Sequence, residues 1–261
     1  GSNLQTVTLA ANRTGGNIIL AAYKNEGGRD SVYHRITLVQ AVAAPAGELT
    51  VTSYSDLDSL RRCINRGGAF MYKGTAVPAG GAGTTFKVTA DLPMGGGTSV
   101  NWEPIGNEEN CFKGIFDGDG HTISNFKQWT REYFGLFGTV RGTIKNVVLE
   151  VETISACKSG GAICGFLYGG TISNCRTLQG TDGMVSMGYT SYNGDHRVGG
   201  IVGYISESSR VTKCTNGARI EGLNSNYNYS RMGGIAGSAS SNSVIDSCVN
   251  AGDIITSSKY I

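Results

Sequence analysis

Charge is scarce in this sequence of 261 residues. Lys, Arg, Asp and Glu make up 16% of it, and the formal net charge is +2. A protein that binds nucleic acid needs a concentrated basic face, so this composition argues against a DNA or RNA partner. Long apolar runs are also missing, because none approaches the roughly 18 residues of a membrane-spanning helix. We therefore expect membrane contact only through a tether outside this sequence.

Clustered metal ligands are missing as well. The three histidines, His34, His121 and His196, are far apart, and the seven cysteines include no CxxC pair. Zinc sites in proteins need ligands at such short spacings, so the sequence predicts no metal and no other cofactor. Buried cysteines otherwise behave as small apolar residues, which predicts a structural role for them.

Glycine, in contrast, is abundant, and much of it lies in a repeated pattern. Four copies of Gly-Gly-Ile-x-Gly, or a close variant, lie at 134–138, 160–165, 199–203 and 233–237. A second block follows each copy, at 144–147, 172–175, 211–214 and 245–248. The last glycines of the copies are 27, 38 and 34 residues apart. Repeats of this length and constant phase predict a solenoid, a propeller or a similar array.

The repeats contain short β-rich pieces and no amphipathic helix. The predicted strands are Thr143–Val151, Ile163–Leu167, Thr171–Cys175, Val198–Tyr204 and Gly233–Gly237. A propeller blade needs four antiparallel strands in about 40 residues, and the unit of 27 residues is too short for them. We therefore predict an all-β protein built as a parallel β-helix, with a propeller as the alternative.

Stacked coils place equivalent side chains above one another, about 4.8 Å apart. The repeat alignment predicts two inward ladders of this kind. The first consists of Val147, Cys175, Cys214 and Cys248, and the second of Phe137, Ile163, Ile201 and Ile235. In the core of the β-helix, similar side chains would therefore stack on one another in successive coils.

Two insertions account for the longer repeats. Residues 184–197 and 221–231 occupy the same phase in successive units, and both are rich in Tyr, Asn and Ser. Insertions at one phase of a solenoid emerge on one face, which is often the binding face. Tyrosine provides rigid amphipathic contact area, and its ring stacks on sugars. We therefore predict a ligand-binding site formed by Tyr189, Tyr192, Asn193, Tyr227 and Tyr229, with merely exposed loop tyrosines as the alternative.

The first 43 residues differ from the repeats. Alternating apolar residues predict strands at Leu4–Ala11, Asn17–Tyr23 and Arg35–Val42. The stretches Thr8–Gly16 and Arg35–Ala41 resemble parts of BACON-type immunoglobulin-like modules. That resemblance implies a partial, sandwich-like β module of the kind found in surface and secreted proteins of gut Bacteroidetes. Residues 44–49 are interpreted as a linker.

Residues 50–92 are predicted to cap the β-helix, which extends over residues 50–261. Ser55–Asn65 has apolar residues at helical spacing and a Gly-Gly stop at 67–68, as expected of a short helix. A terminal coil otherwise leaves strand edges and core exposed. The predicted helix would cover them at the N-terminal end.

Motifs that follow in order resemble a known family. They are Ala90-Asp91-Leu92, the W-x-P-I-G motif at 102–106, the F-x-G-x-F-D-G-x-G-H-T-I motif at 112–123, Tyr133–Gly138 and Gly142–Asn146. In this order they are similar to the GLUG-repeat β-helices of bacterial surface proteins and of IgA-protease-like or adhesin polypeptides. The resemblance implies an exported, right-handed parallel β-helix without assigned catalytic residues. The later repeats depart from it, because they replace the aromatic Gly-Leu-Phe-Gly and carry the long insertions.

An enzymatic alternative starts from Asp117, Asp119 and His121. Two carboxylates near a histidine could act as general acid and base on a polysaccharide, or bind a uronate with calcium. The sequence Asp-Gly-Asp-Gly equally supplies a tight turn between two strands, because it tolerates positive φ angles. We predict the turn.

Together these patterns predict a non-catalytic, adhesin-like protein, secreted or at the bacterial surface, that binds a glycan or a host surface protein as a monomer. A polysaccharide lyase or glycoside hydrolase on the same β-helix is one alternative, and a structural stalk is another. The sequence has no signal peptide or lipobox. Because Gly1 resembles the remnant of a tag, we expect that the native N-terminus has been removed.

Overall fold

The chain divides into two compact units, Gly1–Ala44 and Pro45–Ile261. The computed structural model describes residues 16–26, 29–40, 47–97, 101–130, 133–156, 159–187, 196–222, 230–240 and 242–256. In the first unit, β1 (Gly16–Glu26) and β2 (Arg29–Gln40) form an antiparallel pair. The predicted strand Leu4–Ala11 lies outside the described residues.

The second unit is a parallel β-helix whose coils pass through four sheets, here called faces A to D. Face A contains β3 (Glu48–Val51), β6 (Thr85–Val88), β8 (Ile115–Asp117), β12 (Thr143–Lys145), β16 (Thr171–Ser173), β20 (Arg210–Thr212) and β25 (Val244–Asp246). Face B contains β7 (Leu92–Pro93), β9 (Thr122–Thr130), β13 (Val148–Ala156), β17 (Arg176–Met187), β21 (Thr215–Asn216), β22 (Arg219–Gly222), β26 (Val249–Asn250) and β27 (Ile254–Thr256). Face C contains β10 (Tyr133–Phe134), β14 (Ser159–Gly161), β18 (His196–Gly199) and β23 (Ser230–Gly233). Face D contains β11 (Phe137–Val140), β15 (Cys164–Tyr168), β19 (Val202–Ser206) and β24 (Ala236–Ala239).

Strand pairing within the four faces is parallel throughout the described residues. Successive coils therefore stack in register, as the repeat phase predicts. Propeller blades are antiparallel, so the parallel register excludes the propeller. The prediction of a parallel β-helix is confirmed, while the right-handed sense of the coil stays a prediction.

A helix covers the N-terminal end of the coil. Helix α1 spans Tyr54–Arg66; its N-cap Ser53 accepts a hydrogen bond from the amide of Asp56, and it stops at Gly67, whose φ is 78°. Its Leu57, Leu60 and Ile64 are fully buried. This confirms the predicted helix and stop. The hairpin of β4 (Phe70–Tyr72) and β5 (Thr75–Val77) follows, with short 3-10 turns at Ala79–Gly81 and Met94–Gly97.

The inward ladders are confirmed in one case and corrected in the other. Val147, Cys175 and Cys214 are buried, and the amide of Cys214 lies 3.4 Å from Sγ of Cys248 in the next coil. In the second ladder, however, Phe137 pairs with Cys164 and not with Ile163. The repeat alignment is shifted by one residue at this rung, because two residues lie between Phe134 and Phe137, whereas three lie between their partners Gly160 and Cys164.

The Gly-Gly-Ile motif forms a corner where the sequence predicted one continuous strand. Val198–Tyr204 is divided between β18 and β19, with Gly200 and Ile201 at the bend. Gly233–Gly237 is divided in the same way between β23 and β24. A corner brings the backbones of neighbouring coils so close that a side chain at the glycine would collide with them. The motif therefore marks a change of face.

Candidate functional site

The predicted ligand-binding residues Tyr189, Tyr192, Asn193, Tyr227 and Tyr229 lie outside the described residues. The strands that flank their segments are described. Met187 pairs with Gly222 at the end of face B, and His196 pairs with Ser230 at the start of face C. Both insertions therefore leave and re-enter the β-helix at equivalent positions of successive coils, as the repeat phase predicts.

The two insertions belong to a single corner of the coil, here called the B–C corner because it joins faces B and C. The earlier coils cross this corner with two residues, 131–132 and 157–158, whereas the later ones use eight, 188–195, and seven, 223–229. Tyr133 is the first residue of β10 and starts face C in an earlier coil. Its backbone therefore occupies the same corner as the ends of the insertions.

Tyr133 also lines a cavity of about 400 Å³ near the N-terminal end of the β-helix. The other lining residues are Asn65, Glu103, Pro104, Gly106, Asn107, Glu108, Glu109 and Gly138. Most of them lie on the segment 103–109, between α1 and the coil that contains Tyr133. The cavity thus combines an aromatic ring, a proline ring, two amides and three carboxylates.

Backbone pairing and one partly buried side-chain amide hold this segment in place. Ile105 donates its amide hydrogen to the carbonyl of Leu136 at 3.0 Å, and Gly138 donates to the carbonyl of Ile105 at 3.0 Å. Asn65, in the last turn of α1, accepts from the amide of Gly106 at 2.7 Å and donates to the carbonyl of Pro104 at 2.9 Å. The cavity wall is therefore anchored to both the cap helix and the β-helix.

The cavity is acidic. Glu103, Glu108 and Glu109 are exposed, and none of the nine described residues that line the cavity is Lys or Arg. Arg61 on α1 forms an ion pair with Glu103 from outside this set. Carboxylates repel anionic ligands and accept hydrogen bonds from hydroxyl and ammonium groups. The electrostatics therefore favour a neutral or positively charged ligand over a uronate or a sulfated sugar.

Aromatic side chains continue from the cavity along the outside of the coil. We call Tyr133, Phe166, Tyr168 and Tyr204 the aromatic stripe. Phe166 stacks on Tyr133 with 5.8 Å between ring centroids and on Tyr204 with 5.1 Å, and Tyr168 meets it edge-on at 5.6 Å. All four side chains are half-buried.

Arginine side chains cover part of the stripe. The guanidinium of Arg197 lies 4.2 Å from the ring centroid of Tyr204, and that of Arg141 lies 4.1 Å from Tyr168. The Tyr204 hydroxyl lies 2.8 Å from Oγ of Ser240 in the next coil, and this hydrogen bond lowers the pKa of the phenol. Tyr133, at one end of the stripe, also borders the cavity.

Sequence reasoning missed the stripe and the cavity. A signal for the stripe was present, because Phe166 and Tyr204 each follow the last glycine of a repeat and pair with each other in register. For the cavity there was no local signal. Its ring and its carboxylates are separated by a stretch of chain whose path depends on the stacking of α1 and the first coils.

The acidic motif at Asp117 is built into a turn, as predicted. Asp119 and Gly120 have φ angles of 50° and 80°. Asp117 accepts hydrogen bonds from Asn146 at 2.8 Å and from the amide of Asp119 at 3.0 Å, and it pairs with Lys145 at 2.9 Å. Partial burial raises the pKa of Asp117, but these hydrogen bonds outweigh it and hold the pKa below its ordinary value. An ionised, fully engaged carboxylate is poorly suited to act as a general acid.

The other members of that motif are paired separately. Asp119 lies 3.2 Å from Nζ of Lys87, and His121 lies 3.3 Å from the carboxylate of Asp91. Among the described residues, no group of three or more His, Cys, Asp or Glu side chains could hold a metal ion. Within the same ranges, no helix has the length and hydrophobicity to span a membrane.

Comparisons with known proteins find similarity over part of the chain. No protein-family model matches it. Halomucin of Haloquadratum walsbyi is 30% identical over 142 residues, which are 49% of this chain and 1% of halomucin. A protein of Evansella cellulosilytica, provisionally named a Gly-rich membrane protein, is 28% identical over 152 residues, which are 53% of this chain and 16% of that protein. The chain thus spans only a small part of the length of either relative.

The comparison with solved structures also finds a crystal structure of a Bacteroides ovatus protein provisionally named an immunoglobulin A1 protease. The similarity covers 80% of this chain and 79% of that one, with 19% sequence identity and a TM-score of 0.47.

Proposed function

We propose that this chain is a non-catalytic, adhesin-like β-helix of the GLUG-repeat type that binds a glycan outside the cell or at the outer-membrane surface. The observation that carries the proposal is the cavity that Tyr133 lines together with Pro104, two asparagines and three glutamates. One relative is named as a membrane protein, which agrees with presentation at a cell envelope.

The cavity chemistry suits a sugar. A sugar ring has an apolar CH face that packs on a tyrosine or proline ring, and hydroxyl groups at its edge that donate to carboxylates and amides. Tyr133 and Pro104 supply the ring surfaces; Glu109, Asn65 and Asn107 supply acceptors. Because the wall carries three glutamates, the preferred glycan is neutral or bears a free amino group.

The B–C corner extends this site along the coil. Since the segments that contain Tyr189, Tyr192, Asn193, Tyr227 and Tyr229 begin and end at the same corner as Tyr133, we include those residues as contacts for further sugar units of an oligosaccharide. A host surface glycoprotein that displays such a glycan would be the natural partner.

The test is a glycan array followed by titration calorimetry on the best neutral or amino-bearing oligosaccharide. We expect Tyr133→Ala to weaken affinity about tenfold or more, the loss expected for one stacked aromatic contact of about 1.4 kcal/mol. Tyr204→Ala is the matched control, because it removes another tyrosine of the stripe away from the cavity and should change affinity less than about twofold.

A second variant distinguishes the contribution of the insertions to binding from that of the cavity. Replacing Tyr189, Tyr192, Tyr227 and Tyr229 by Ala should weaken long oligosaccharides more than a monosaccharide. If Tyr133→Ala binds the glycan as tightly as wild type and unfolds at the same temperature, the cavity is not the binding site. Release of reducing sugar from a bound glycan would refute the non-catalytic function.

A further inference from the structure

Trp129 presents an exposed aromatic ring beside the B–C corner, near the end of β9. Its side chain is 48% exposed, and no other aromatic side chain that the structure describes is in the exposed class. The second tryptophan of the chain, Trp102, is 3% exposed and belongs to the core. A tryptophan ring is large and apolar, so a fold that leaves it in water loses most of the stabilisation its burial would give. The surface of Trp129 is therefore open to a ligand.

The backbone that carries this ring is fixed on both sides. The side-chain amide of Asn101 accepts a hydrogen bond from the amide of Trp129 at 2.7 Å and donates one to its carbonyl at 3.0 Å. Trp129 also pairs in register with Ser155 on β13, in the next coil. A ring that is held on a rigid strand loses little conformational freedom when a ligand binds, which favours affinity.

Trp129 lies close to the cavity that Tyr133 lines. The two residues are four positions apart in the chain, and four residues span at most about 14 Å. The buried side chain of Gln128 donates to the carbonyl of Trp102 at 2.9 Å and accepts from the amide of Gly135 at 2.8 Å. These bonds join the strand that carries Trp129 to the segment that follows Tyr133. The spacing between the ring and the cavity is therefore set by the core.

Glu103 lies between the ring and the cavity. Trp102 is buried, whereas its neighbours Asn101 and Glu103 are exposed, so these two lie on the outer side of the chain. Asn101 contacts the backbone of Trp129, and Glu103 lines the cavity. Glu103 forms an ion pair with Arg61, and its side chain is 64% exposed. Its carboxylate has further acceptor positions for the hydroxyl groups of a sugar.

We propose that Trp129 is a second sugar-binding position, and that it and the cavity take successive units of a linear, neutral glycan whose units are joined through equatorial oxygens. This inference rests on the proposed function, because the cavity takes the first unit. A pyranose ring with equatorial substituents keeps its hydroxyl groups at the ring edge and exposes CH groups on its faces, so it packs flat on an indole ring. Equatorial linkages keep the chain extended, which lets one unit lie on Trp129 while another contacts Tyr133.

Titration calorimetry with isomeric glucose tetramers tests this position. Cellotetraose has equatorial linkages and is the ligand used, while glucose is the single-unit ligand. We expect Trp129→Ala to weaken the binding of cellotetraose about tenfold and that of glucose less than about twofold, because only the longer ligand reaches the indole ring. Ile115→Ala is the control variant, since Ile115 is an exposed apolar residue on β8 of face A, and it should bind both ligands like wild type. Maltotetraose, whose linkages include an axial oxygen, should bind wild type more weakly than cellotetraose.

Fluorescence quenching locates the bound sugar, because the chain has two tryptophans. In the free protein, acrylamide should quench the exposed Trp129 and spare the buried Trp102. Cellotetraose should protect the fluorescence that acrylamide quenches. In Trp129→Phe, the remaining fluorescence should resist acrylamide with or without sugar. This variant keeps an aromatic ring for stacking, so it should retain most of the affinity that Trp129→Ala loses.

Three results would overturn the proposal. In the first, cellotetraose binds, but quenching does not change and Trp129→Ala binds it like wild type; the tryptophan is then outside the site and the cavity alone binds. In the second, maltotetraose binds as tightly as cellotetraose, so the site does not select an extended chain. In the third, cellotetraose does not bind although the glycan array finds another ligand, which leaves the proposed function intact. An array without any ligand would overturn the proposed function as well.

Discussion

At the residue scale, one corner of the coil contains a column of residues whose backbone is in the left-handed conformation. Asn146, Asn174, Lys213 and Ser247 have φ angles between 52° and 56° and occupy equivalent positions in successive coils. Asn174 donates to Oδ1 of Asn146 at 2.8 Å, and Asn146 donates to Asp117 at 2.8 Å. Asparagine tolerates this backbone better than most residues. The ladder stops at Lys213, which has the backbone conformation without the amide.

Lys213→Asn should therefore stabilise the protein. The new amide would donate to Oδ1 of Asn174 and relieve part of the left-handed strain, for a gain of about 1 kcal/mol in the free energy of unfolding. Urea denaturation measures this gain. Lys213→Ala is the control, because it removes the lysine without adding an amide; equal stabilisation by Ala would show that the ladder is not the cause.

At the element scale, the corners between faces C and D depend on the absence of a side chain. A Cβ at Gly203 would lie 2.3 Å from the amide nitrogen of Gly160 and 2.7 Å from the carbonyl oxygen of Gly165, both in the preceding coil. A Cβ at Gly237 would meet Val198 and Gly203 at similar distances. The repeated glycine is therefore a requirement for close stacking of coils, which explains its fixed phase.

We expect Gly203→Ala to destabilise the protein by about 3 kcal/mol, because backbone atoms of the preceding coil would have to move apart. Chemical denaturation measures the loss. Gly120→Ala is the control that distinguishes a steric clash from the cost of an unfavourable backbone conformation. Gly120 has a φ of 80°, but a methyl group on its Cα would meet no atom within 4 Å. That variant should lose only about 1–2 kcal/mol. Equal losses at the two positions would contradict the steric explanation.

At the scale of the whole molecule, the N-terminal half of the β-helix contains more of its charged side chains than the C-terminal half. Burial opposes ionisation of Asp56, Asp58 and Asp117, yet hydrogen bonds from lysine, arginine, asparagine or threonine partners outweigh it and lower the pKa of each. A carboxyl whose pKa is lower in the folded than in the unfolded state stabilises the fold when ionised. Its contribution is present above the unfolded pKa of about 3.9 and is lost as pH falls through the folded value.

The melting temperature should accordingly fall as pH is lowered from about 5 to 2. Asp117→Asn should melt below wild type at neutral pH, since it loses the pairing with Lys145, and the difference should shrink in acid. Thermal unfolding across this pH range gives both curves. Parallel curves for wild type and variant would contradict a stabilising role for the ionised Asp117.

Much of the architecture could be predicted because it is encoded locally and then repeated. The helix Tyr54–Arg66 carries its own cap and stop, the turn at Asp117 carries its own glycines, and the ladder of Cys175 and Cys214 follows from repeat phase alone. The corner at Gly200 was predicted as strand, because a run of small and apolar residues has the same pattern in either structure.

By itself, the sequence determined the parallel β-helix and the common phase of its insertions, since stacked coils place equivalent residues together whatever surrounds them. Only the tertiary structure decided which side chains meet across different coils and segments. Stacking brought Tyr133 beside Glu109 and Asn65. Such neighbours depend on how successive coils and the cap helix stack, and no short window of sequence carries that information.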